Sequence, residues 1–160
     1  MNTIFTQLLE GERYAGTIIG SITCKPTHHL ILLPQQPETI LTWHEAIAWA
    51  AAINVELPTR QESALLYANL KPAFESDWYW TSEQYAGYAG GVWLQHFKDG
   101  TQYHYGKAYM GRVRAIRRVP ITEEHTQMSR FTEEQLKELE TVFGLKREEE
   151  TFSCKHNSQK

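Results

Sequence analysis

The chain is poor in cysteine: Cys24 and Cys154 are its only two, one among strand-forming residues and the other in a polar stretch. Two such distant thiols do not make the dense framework of a disulfide-stapled scaffold. Neither belongs to a C-x-x-C pair, and Cys154-Lys155-His156 lacks a second ligand pair at metal-binding spacing, so no zinc site is expected. Long apolar runs are lacking too. None approaches the roughly 20 residues of a membrane-spanning helix. The opening MNTIFTQLLEGER has no cationic n-region, apolar h-region or small-residue cleavage site. The expectation is a soluble protein made and kept in the cytoplasm. Positive charge is also in deficit, with a net charge of −3 and a pI near 6.2. No global field therefore draws the chain onto nucleic acid or anionic lipid.

Reaction motifs are missing as well. There is no G-x-S-x-G elbow, no glycine-rich phosphate loop and no H-E-x-x-H, and Ser63 and Ser82 stand without a recognisable base. The reading is non-enzymatic, without catalytic residues, cofactor or metal.

What is present is the composition of a globular chain, 41% hydrophobic, 12% aromatic and 22% charged. A domain of this size buries roughly 70% of the surface its unfolded chain exposes. Two β-rich runs, about Ala15–Ile22 and His29–Leu33, flank the turn signal Lys25-Pro26-Thr27 and predict a hairpin. The His28-His29 pair leading into it reads as a strand edge. In TWHEAIAWAAAI, Thr42 and Glu45 form a capping box, with Ala46, Trp49, Ala50 and Ile53 at helical spacing. In LPTRQESALLYANL the device repeats with Thr59 and Glu62, ahead of Leu65, Leu66 and Leu70. The segment DWYWTSEQYAGYAGG then reads as a glycine-rich excursion, followed by a hairpin over VWLQHFKDGTQYHYGK and a last strand, GRVRAIRRV. Helices grouped between strands indicate an α+β fold with an antiparallel sheet.

For the second hairpin, a type I turn with Gly100 in a G1 bulge would set Trp93 opposite Tyr105, Gln95 opposite Tyr103 and Phe97 opposite Thr101. Trp93, Phe97, Tyr103 and Tyr105 would then share one face, and Leu94, His96, Gln102 and His104 the other. On that register the two histidines are structural neighbours and not a metal pair. Arg112, Arg114, Arg117 and Arg118 alternate as in a strand, and in an acidic protein they are expected to pair with carboxylates such as Glu62, Asp77, Glu83 or Asp99. The alternative is that these four arginines bind a polyanion or nucleic acid. Tyr85 and Tyr88 sit beside glycines in SEQYAGYAGG. Rigid rings on an adaptable loop suit recognition of a protein partner, with Trp93 and His104 as further contacts; the same rings serve equally well as cover for the sheet.

Beyond Val119 the composition turns polar. Residues 120–160 form an extension with a third capping box, Thr132 with Gln135, and a staple of Phe131 on Leu136. A short amphipathic helix is expected at about 132–143, with Leu136, Leu139, Val142 and Phe143 as its stripe. That stripe either folds back on residues 1–119, meets a partner, or drives self-association into a homo-oligomer. Residues from about Glu148 on are expected to be disordered.

Taken together, ELPTRQESALLYANLK, WYWTSEQY, VWLQHFKDGTQ and GRVRAIRRV resemble the bacterial and phage domain family typified by the C-terminal domain of the Legionella collagen-like adhesin. YAGTIIG, HLILLP and TWHEAIAWAA are similar to its phage-encoded branch, and the resemblance spans about residues 11 to 119. It implies a C-type-lectin-like fold: a twisted antiparallel sheet, two helices and a long loop region before the final strands. The fold is related in shape to formylglycine-generating enzymes, whose reactive cysteine pair is not matched, since Cys24 alone lies in the core domain. Calcium-dependent sugar binders carry Glu-Pro-Asn and Trp-Asn-Asp triplets, and neither occurs. The resemblance implies the fold and leaves function to the residues; with the tyrosines of SEQYAGYAGG, the expectation is a phage- or prophage-type binding module that recognises a protein partner, such as a host factor or defence complex, through its loop face.

Overall fold

The computed structural model describes residues 8–121; the expected helix at 132–143, with Leu136, Leu139, Val142 and Phe143, lies outside them. The described residues fall into two compact units. One comprises residues 8–18 and His28 to Val119, the other Ile19 to Thr27 with Pro120 and Ile121. The chain order is β1 (Arg13–Ile19), β2 (Pro26–Leu32), α1 (Trp43–Ala52), α2 (Arg60–Leu70), a 3-10 turn at Lys71–Ala73, β3 (Trp78–Gln84), β4 (Gly91–His96), β5 (Gln102–Gly106) and β6 (Ile116–Pro120). This is a mixed α+β architecture with two three-stranded sheets, ordered β1-β2-β6 and β3-β4-β5.

Both helices start where the capping boxes place them. The Thr42 and Thr59 hydroxyls accept from the N–H groups of Glu45 and Glu62, whose carboxylates accept in return from the cap backbones. Two donors orphaned by each helix start are thereby satisfied. The helices then use opposite faces of the second sheet. Ala46 and Ala50 of α1 pack on Trp80, Val92 and Leu94, whereas Leu66 of α2 packs in the cluster of Tyr79 and Phe97. Strand period explains the division, since Tyr79 and Trp80 are neighbours and must face opposite ways. In β2 the same alternation sends Leu30 and Leu32 to the α2 side, while Ile31 belongs with Leu33 to a third cluster holding Ala115. A strand buried on both faces reads as the unbroken apolar run LILL.

Three sequence expectations change. The first turn lies earlier than Lys25-Pro26-Thr27: β1 ends at Ile19 and Pro26 already belongs to β2, with the turn closed by Gly20 N–H to Lys25 carbonyl at 2.9 Å. Cys24, in the left-handed region at φ 52°, is disulfide-bonded. WYWTSEQ, read as the start of a loop, is strand β3, pairing Trp78 with His96, Tyr79 with Gln95 and Trp80 with Leu94.

The β4–β5 register also differs by one residue from the G1-bulge expectation. Trp93 pairs with His104, Leu94 with Tyr103 and Gln95 with Gln102. The loop spans four residues, Phe97 to Gly100, because Phe97 leaves the hairpin ladder and donates its N–H to the Asp77 carbonyl at 3.0 Å. Its ring is drawn into the core, stacked on Phe74 at 3.8 Å and edge-on to Tyr67 and Tyr79. Burying a phenylalanine fully is worth roughly 1.5–3 kcal/mol, enough to decide between neighbouring hairpin registers.

Candidate functional site

The register places on one face what the expected pairing had separated. Trp93 and His104 stand directly opposite each other, and Tyr85, from the loop after β3, lies against both. The Tyr85 and His104 rings are stacked at 3.9 Å and 5°, and Trp93 meets them edge-on at 5.2 and 5.7 Å. Tyr103, half exposed, extends the stack at 4.8 Å from His104. Three of the four expected contact residues are thus one cluster. Tyr88 is not part of it: 60% exposed, it lies over the backbone of Gly90 and Gly91, where a Cβ would meet its ring and carbonyl.

The loop holding Tyr85 is fixed by its own backbone. Tyr85 N–H donates to the Gly91 carbonyl at 2.9 Å, and Gly91 N–H to the Tyr88 carbonyl at 2.9 Å. His104 in turn rides on the short strand β5. The two elements therefore present the aromatic face on hydrogen-bonded backbone.

Arg60, which no sequence signal singled out, completes the cluster. It follows the Thr59 cap at the start of α2, and its guanidinium lies 3.6 Å over the centre of the Trp93 ring. Nε donates to Gln102 Oε1 at 3.1 Å, and Gln102 is held in turn by the Arg60 carbonyl and Gln95 Oε1, both at 2.8 Å. The Arg60 backbone N–H binds the Glu83 carboxylate. Nothing in the run PTRQES separates this arginine from any helix-start residue; its partners come from β4 and β5.

His96 and His104, expected on one side, face opposite sides of the sheet. His96 rests on Trp78, with ring centroids 4.7 Å apart, and its Nδ1 lies 3.4 Å from Asp99. Among the described residues no three His, Cys, Asp or Glu side chains converge as a ligand set. Ser82 donates to the Pro58 carbonyl at 3.4 Å, and Ser63 Oγ is buried without a hydrogen-bond partner.

The four arginines of the last strand region are engaged inside the fold. Arg112 binds Glu75 at 2.6 Å and Asp77 at 2.9 Å, and Arg117 binds Glu12 at 2.6 Å. Arg118 meets Glu62 at 2.6 Å and also Glu56. Arg114 meets no carboxylate among the described residues; it donates to the Ala73 carbonyl at 2.9 Å and the Leu33 carbonyl at 3.2 Å, and burial draws its pKa down. Two of the four expected carboxylate partners, Glu62 and Asp77, are among these. Glu83 instead holds the Arg60 backbone, and Asp99 receives the Thr101 N–H.

Among the described residues Glu62 is the most deeply buried charge. At 1% exposure, its carboxylate accepts from Arg118 through Nε and Nη2 at 2.6 and 2.8 Å, from His28 Nε2 at 2.8 Å and from the Thr59 N–H at 2.7 Å. Burial pushes its pKa up, and the hydrogen bonds from Arg118, Thr59 and His28 outweigh that, so the net shift is downward. A carboxylate this fully satisfied is a structural tie between α2, β2 and β6. It is not poised to exchange a proton.

No protein-family model matches this chain, and no curated protein is similar to it.

Proposed function

We propose that this protein is a non-enzymatic binding module of phage or prophage type, with a C-type-lectin-like fold, that recognises a protein partner through the face carrying Tyr85, Trp93 and His104. The observation that carries the reading is the ring cluster itself: two aromatic side chains and an imidazole, in mutual contact at the edge of a sheet, each only partly covered. Rings that merely sealed the sheet would be placed as Trp80 is, at 0% exposure. Preorganised and half-open, they match the aromatic anchors that dominate protein interfaces. The glycine loop next to them, with Tyr88 projecting, supplies an outer contact. The motifs resembling the phage and adhesin domain family, together with the α+β architecture, support the fold assignment.

The test is retention of a partner from lysate of the bacterial host by immobilised wild type and by Trp93→Ala, with the bound proteins quantified by mass spectrometry. A partner held by wild type and depleted at least about tenfold by Trp93→Ala, the loss of one interface hot spot, is the expected result. Equal catches by both proteins would overturn the reading.

A further inference from the structure

Resting on that reading, we propose that Arg60, Trp93, Tyr85 and His104 form a receptor for an aspartate or glutamate side chain of the partner protein.

The argument starts from which polar atoms of the cluster are in use. Arg60 donates through its backbone N–H and Nε, while Nη1 and Nη2 make no hydrogen bond and no ion pair among the described residues. The Tyr85 hydroxyl, the Trp93 indole N–H and both His104 ring nitrogens are likewise without hydrogen-bond partners among the described residues. None of those atoms is among the buried unsatisfied ones, so all reach solvent. The cluster thus presents donor-capable groups and no acceptor-only group of its own. The Glu83 carboxylate is committed to the Arg60 backbone N–H and makes no ion pair with the guanidinium within 4.0 Å.

Geometry narrows the ligand. A guanidinium stacked on an indole has its face covered and its Nη edge free. That planar edge matches the two oxygens of a carboxylate in a bidentate pair. Stacking together with the Nε bond to Gln102 fixes the fork before the ligand arrives, so less side-chain entropy is lost on binding. The arginines of the last strand region are different: Arg112, Arg117 and Arg118 already hold carboxylates of this chain, and Arg60 is the cation that the aromatic face leaves open to an outside one. An acidic side chain with a neighbouring apolar residue would use the guanidinium edge and the rings at once.

The experiment is a two-dimensional NMR titration of the full chain at low salt. Its probes are an acetylated hexapeptide with two central glutamates flanked by leucines, the same peptide with glutamines, and inorganic phosphate. Signals followed are the Arg60 Nε–H, the Trp93 indole N–H and the His104 ring. Saturable shifts with the glutamate peptide, at least about tenfold weaker with glutamine and with Arg60→Gln, are expected, as for loss of a charge-assisted hydrogen bond. Arg60→Lys, which keeps charge and loses the fork, should also weaken binding. Equal binding of the two peptides, no effect of Arg60→Gln, or tighter binding of phosphate at the same signals would overturn the carboxylate assignment. The lysate experiment separates this from the wider reading: a partner lost by Trp93→Ala but kept by Arg60→Gln removes the carboxylate receptor alone, and one kept by both removes the recognition face.

Discussion

A glutamate at 1% exposure is sustainable only if its charge is answered, and Glu62 is answered by Arg118, His28 and the Thr59 backbone at once. Removing Glu62 takes away the charge-assisted hydrogen bonds of Arg118 and His28 while Arg118 keeps Glu56, which costs about 1.5–3 kcal/mol. Glu62→Ala is therefore expected to lower stability by that amount in urea denaturation, and a loss below about 1 kcal/mol would show that the pair does not hold the fold. The pH dependence follows from the direction of the shift. The folded-state pKa lies below the ordinary 4.5, so the stabilisation is complete above that value and is lost as pH falls through the lowered one. Thermal unfolding of wild type should decline more steeply than that of Glu62→Gln below about pH 4.5; parallel curves would remove the linkage. Glu62 was legible in the sequence as one half of a capping box. It was also legible as a carboxylate partner for the arginines of the last strand region, but its tie to His28, 34 positions away, was not.

The helices could be read from the chain because their signals are local: a threonine, a glutamate three places on and a 3.6-residue stripe suffice. Strand register obeys other rules. The hairpin after β3 was expected from its Asp-Gly turn, but its true loop is set by Phe97, whose partners Phe74, Tyr67 and Tyr79 lie on α2, beyond its end, and on β3. One residue of slip then moved every side chain of β5 to the other face relative to β4, bringing His104 under Tyr85 and beside Trp93. Gly100 is the position where this loop can be tested. It has φ +85°, and an added Cβ would lie 2.8 Å from the Tyr67 ring. Gly100→Ala should cost about 1–3 kcal/mol, measured as a fall in denaturation midpoint, while Gly106→Ala, with nothing within 4 Å of its Cβ, should change stability by less than about 0.5 kcal/mol. Equal effects at the two glycines would mean that the loop does not need the left-handed backbone.

For the molecule as a whole, the distribution of charge matters more than its total. An acidic chain can still grip a polyanion if enough cations are gathered and free, and the last strand region gathers four arginines. Three of them are neutralised by carboxylates of the same fold and the fourth donates to main-chain carbonyls. A phosphate arriving there must displace a partner already at hydrogen-bonding distance, so the counterions released per binding event are few. If four arginines were free to neutralise phosphates, affinity would fall about a hundredfold between 50 and 200 mM salt; one open cation gives a change of only a few-fold. Fluorescence anisotropy with a labelled 20-base-pair duplex is accordingly expected to show no saturable binding at 50 mM salt, or binding with the shallow slope. A steep, hundredfold loss that Arg112→Gln and Arg118→Gln flatten would instead establish that the duplex outcompetes Asp77, Glu75 and Glu62, and the polyanion reading would displace recognition through the aromatic face.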